Sequence, residues 1–170
     1  MKSPKWTLLP PAAAIAMALS APVTAAAPVA AAQTATHEHA AATPHKLTLN
    51  QGRKWTTDEP LRAGMGRIRS LVEPQLAAAH ADKLTPAQYR ELATQVETEV
   101  GAIVANCKLE PEADAMLHRV IADLSAATDT MSGNNAQVRP ALGLVNVAEA
   151  VNQYGSHFDH PDFTPIRNVH

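Results

Sequence analysis

The stretch "LTPAQYRELATQVETEVGAIVANC", residues 84–107, decides the fold. Its apolar residues are Tyr89, Leu92, Val96, Val100, Ile103 and Cys107, separated by steps of three or four. That spacing puts them on one face of an α-helix, and no period-two pattern competes with it. Thr85 fits the N-cap and Pro86 the first turn, where a missing N–H costs little. A helix with one long apolar stripe cannot stand alone; it needs partners with matching stripes.

Three such partners are present. Downstream, "EPEAD" places Pro111 in a first turn, and Ala113, Leu117, Val120, Ile121, Leu124, Thr128 and Met131 form the next stripe. "SGNNAQ", residues 132–137, reads as a turn. A further helix carries Pro140, Leu144, Val147, Val151, Tyr154 and Phe158, and "DHPDFTP" ends it. Upstream, "TTDEP" opens the first helix, with Thr56 and Glu59 in capping-box spacing and Pro60 in the first turn. Its stripe is Leu61, Met65, Ile68, Val72, Leu76 and Ala79, and Pro74 should kink it. Four helices with short loops predict an all-α, antiparallel up-down-up-down four-helix bundle over residues 54–164. Residues 165–170 read as a C-terminal tail.

The segment before the bundle is of another kind. "MKSPKWTLLPPAAAIAMALSAPVTAAA", residues 1–27, has two lysines, an apolar stretch and small residues suited to cleavage. It reads as a secretory signal peptide, and the expected location is periplasmic, with membrane contact only during export. Residues 28–53 lack an apolar period and read as a flexible leader carrying His37, His39 and His45. Loss of residues 1–27 moves the net charge from −2 to about −4. An acidic domain without a basic run excludes nucleic acid as a partner. A single cysteine, Cys107, allows no internal disulfide. It reads as a buried apolar filler, a dimer bridge or a metal ligand.

Within the first helix, "LRAGMGRIR", residues 61–69, brackets Met65 with Gly64 and Gly66. Each glycine costs roughly 1 kcal/mol against alanine in a helix interior. They are expected to clear space on both sides of the methionine, for a neighbouring helix or for a ligand. The predicted topology gathers Met65, Cys107, His118, Tyr154, His157 and Phe158 at one end of the bundle. Met65 and His118 should lie roughly 10–12 Å in from that end, at 1.5 Å per residue. His80 is expected near the far end of the first helix.

Sulfur and imidazole together suit copper(I). Asp114, four residues before His118, shares its face and could fix its tautomer. Met65, Cys107 and His118, oriented by Asp114, are thus the expected copper site, with His37, His39 and His45 as a loose capture arm. Each also has a plain reading, as core packing, a boundary histidine or an unstructured leader. No G-x-S-x-G, H-E-x-x-H or glycine-rich phosphate loop occurs, so no catalysis is expected. The other reading is a ligand-free interaction or stress-response protein with an unknown periplasmic partner.

Three resemblances add expectations. "CKLEPEADAMLHRVIADL" (107–124), with "KWTTDEPLRAGM" (54–65) and "YGSHFDHPDF" (154–163), resembles a group of uncharacterised exported proteobacterial proteins, small and helical. Met65 early in the first helix and His157 late in the last resemble the axial ligands of periplasmic four-helix-bundle b-type cytochromes. That likeness implies haem b held between them. "LTPAQ" is similar to the L-T-x-x-Q motif of periplasmic stress chaperones and metal-resistance accessory proteins.

Overall fold

The computed structural model describes residues 46–134, 136–167 and 169. The expected signal peptide, and the leader histidines His37, His39 and His45, lie outside the described residues. The described chain is helical, with α1 (Glu59–Val72), α2 (Leu76–His80), α3 (Pro86–Asn106), α4 (Pro111–Met131) and α5 (Pro140–His157). Two isolated bridges, Asn50–Arg53 and Trp55–Phe158, are the only β pairing among the described residues. No helix there is long and apolar enough to cross a membrane.

Local chemistry fixes the helix starts. Thr85 caps α3 in a full capping box: its Oγ1 accepts from the Gln88 N–H, and its own N–H donates to Gln88 Oε1. α1 begins differently from the expectation. Its cap is Asp58, whose Oδ1 accepts from the Leu61 N–H at 3.0 Å, and not Thr56. Asp58 sits directly before Glu59, so its short carboxylate reaches the free N–H groups first. α1 and α2 are one helical path interrupted at Pro74. The proline cannot supply the N–H for an i→i−4 bond, and the chain tightens into a 3₁₀ turn, Glu73–Gln75, before resuming. Val72, Leu76 and Ala79 all stay buried, so the apolar stripe survives the break.

Those stripes meet in one core. Leu61, Met65 and Ile68 of α1 join Val96 and Ile103 of α3, Leu117 and Leu124 of α4, and Leu144 and Val151 of α5. Packing runs α1 on α3, α3 on α4, α4 on α5 and α5 back on α1. α4 and α5 approach closely at Gly143, where an added Cβ would lie 2.6 Å from Ala127 O and Met131 N.

Two segments outside the helices dock on this core. Residues 46–53, within the expected leader, touch the bundle. Arg119 Nη1 donates to Lys46 O at 2.8 Å, and Leu47 packs against the core. Trp55 N donates to His157 O, Asp159 N donates to Trp55 O, and Lys54 Nζ donates to Gly155 O. Segment 159–169 then folds back. Phe163 lies on Gly155, and Ile166 and Val169 are buried, although sequence alone reads residues from 165 on as a tail.

Candidate functional site

The described residues of the expected metal site differ in their surroundings. Met65 is fully buried among the core side chains. His118 lies out in solvent, its side chain 61% exposed, with Nδ1 3.0 Å from Asp114 O and 3.4 Å from Asp114 Oδ2. The Asp114–His118 pairing therefore forms, but on the surface. An ion shared by Met65 and His118 would have to sit in the core and in solvent at once. Cys107 is half-buried where α3 ends. Burial pushes its thiol above the usual range, and the carboxylates of Asp58 and Asp114 add to the shift. That environment disfavours the thiolate, which is the form that binds metals or attacks carbon. Among the described residues, no three His, Cys, Asp or Glu side chains form a metal-holding group.

His157 is half-buried, and its Nδ1 lies 2.8 Å from Gln153 O on its own helix. The space left by Gly64 is filled: a Cβ there would collide with Cγ1 of Ile103 on α3. Gly66 faces open space and admits nothing. The two glycines thus do different things, and the close approach belongs to Gly64 alone. His80 is exposed at the end of α2.

A groove of about 750 Å3 lies elsewhere, between α4 and α5. Its two walls carry the same register. On α4 the lining positions are Asp123, Ala126, Ala127 and Thr130; on α5 they are Asn146, Glu149, Ala150 and Gln153. Both runs follow i, i+3, i+4, i+7, one face of a helix, with a polar residue at each end; alanine takes both inner positions on α4, and Glu149 and Ala150 share them on α5. The short alanines leave the space open, and polar residues border it. Asn152, Ile166 and Val169 complete the lining. Asp123 and Glu149 bring two carboxylates to it, and no Lys or Arg is among its described lining residues. Sequence reading follows the apolar stripes and passes over this second pair of faces. The signal was available as D-x-x-A-A-x-x-T and N-x-x-E-A-x-x-Q, at 123–130 and 146–153.

A second polar cluster closes one end of the bundle. Tyr154 is fully buried, with its ring stacked on Phe158 at 5.2 Å and its hydroxyl 3.1 Å from His160 Nδ1. Burial drives the Tyr154 pKa far up, and burial also holds the His160 imidazole below its usual value, with Arg62 adding to the effect. Burial thus disfavours the charged form of both rings, and the imidazole tautomer sets which of the two donates. This cluster ties His160 and Phe163 to α5.

Comparison with known protein families, with curated proteins and with solved structures finds no match for this chain.

Proposed function

We propose that this is an exported, non-catalytic helical bundle that works by binding, and that its binding surface is the groove between α4 and α5. One observation supports the reading: a cavity of about 750 Å3 that two helices line with polar residues and alanines at the same i, i+3, i+4, i+7 spacing. A large concave site with a few convergent polar groups is where ligands are usually held. The circuit of helix contacts supports an antiparallel up-down-up-down order, which sets α4 and α5 side by side over their length. The acidic, amide-rich lining favours a polar ligand with cationic groups. The periplasmic location rests on the signal-like residues 1–27.

Copper capture, on this reading, belongs to His37, His39 and His45 and not to Met65, Cys107 and His118. In a copper(I) competition titration, the triple change of those leader histidines to alanine should abolish binding, and Cys107→Ser should leave it unchanged. The reverse pattern would return copper to the bundle.

Thermal unfolding tests the groove. A ligand at about 100 times its Kd adds about 2.7 kcal/mol to the stability of the state that binds it. Polyamines and cationic peptides should raise the Tm of the wild-type chain. Ala126→Trp, which fills the groove from an exposed position, should remove that rise while leaving the unliganded Tm nearly unchanged. A rise that survives Ala126→Trp, or no rise with any cationic ligand, would overturn the reading.

A further inference from the structure

Segment 163–169 is held in the manner of a bound peptide. Its described residues, 163–167 and 169, form no helix or strand of their own. Asn152 of α5 grips one residue by both backbone groups: Oδ1 accepts from the Ile166 N–H at 2.8 Å, and Nδ2 donates to Ile166 O at 3.0 Å. An asparagine amide matches the donor and acceptor of a single extended residue, whatever its side chain. Arg69 Nε donates to Thr164 O at 2.6 Å, again a backbone contact. The side chains that enter the bundle are Phe163, Ile166 and Val169, three residues apart, with Pro165 between the first two. Three-residue periodicity around a proline is the pattern of polyproline-II ligands, whose stiff backbone loses little entropy on binding. Ile166 and Val169 form one side of the groove, and the groove runs on beyond them along α4 and α5.

We propose that this face is a recognition site for an extended polypeptide, and that segment 163–169 is its built-in occupant. The external partner is a protein segment with apolar residues three apart and a basic residue near them. The basic residue would answer the carboxylates of the lining, and the built-in segment carries one too, the exposed Arg167 between Ile166 and Val169. The built-in segment holds the site until such a partner displaces it. The proposal rests on reading the groove as the binding surface, and deepens it.

The test uses the full chain and a fluorescein-labelled peptide with the sequence of residues 161–169. In the Ile166→Asp chain the built-in segment is expelled, because a carboxylate cannot enter an apolar site unpaired. The peptide should bind this chain saturably. It should bind the wild-type chain at least about tenfold more weakly, since the tethered segment competes at high effective concentration. Adding Asn152→Ala to Ile166→Asp should abolish binding. A folded Ile166→Asp chain that binds no peptide overturns the proposal. If cationic ligands still raise the Tm in an Ala126→Trp-sensitive way, the groove reading then stands alone.

Should Ile166→Asp fail to fold, hydrogen exchange on the wild-type chain decides. The Ile166 amide should exchange about 100-fold or more faster than those of Val147 and Val151, through local release of the segment. Exchange of Ile166 together with those core amides overturns the proposal. A wild-type dimer that Ile166→Asp dissolves would also overturn it, making a second copy the occupant.

Discussion

Gly64 and Gly66 show how much one residue's surroundings decide. Both were legible as costly positions in a helix, but their roles were not, because the sequence does not say what stands opposite. Ile103 stands opposite Gly64, and nothing stands within 4 Å of a Cβ at Gly66. Gly64→Ala should therefore destabilise by about 1–3 kcal/mol, through overpacking against a buried, branched side chain. Gly66→Ala should stabilise by up to about 1 kcal/mol, by removing glycine's helix penalty. Gly143→Ala should cost more than Gly64→Ala, since it meets backbone atoms of α4 that cannot rotate away. Thermal unfolding of the three variants would rank them. Met65 follows the same lesson: its apolar phase was plain in the sequence, and that phase is what seals it away from His118.

At the scale of elements, the stripes were legible and the joins less so. All six positions that define the α5 stripe, and most of those on α3 and α4, face the core or its edge, because a period of three to four leaves no other face to bury. The break at Pro74 was legible because proline's missing N–H is a local fact. The α1 cap was misplaced on Thr56, because Thr56–Glu59 and Asp58–Leu61 both fit capping spacing, and the choice depends on a contact outside the helix. Asp58 makes that contact: its Oδ2 also accepts from the Lys108 N–H at 2.5 Å, just beyond α3. One carboxylate thus starts α1 and pins the α3–α4 connection. Asp58→Ala should cost about 2 kcal/mol, from a lost cap and a stranded donor. Asp58→Asn should recover about half, as it keeps one acceptor. Urea denaturation would measure both, as a lower midpoint at unchanged slope.

At the scale of the molecule, the segments flanking the helices were the least legible part. Residues 46–58 and 159–169 carry no helical or strand periodicity long enough to read. Their positions come from long-range contacts such as Thr57 Oγ1 to Asp159 O and Asn152 to Ile166. Tyr154 and His160 make the second of these segments pH-sensitive. The folded state holds His160 below the usual value near 6.5, so the unfolded chain takes up a proton that the folded chain resists. Stability is therefore kept above about pH 6.5 and lost as pH falls from there through the lowered folded value. Between pH 7.5 and 5.5 the wild-type Tm should fall further than that of His160→Gln, which keeps an acceptor for the Tyr154 hydroxyl. An equal fall in both would remove His160 from the account. The groove lies on the same side of this division, since it needs both α4 and α5 in register and segment 159–169 along one edge. The most direct measurement is an NMR titration of the isotope-labelled Ile166→Asp chain with the peptide of residues 161–169. Shifts centred on Ala126, Thr130, Asn146, Asn152 and Gln153 are predicted. Shifts centred on Cys107 and His118, or none at saturating peptide, would contradict the account.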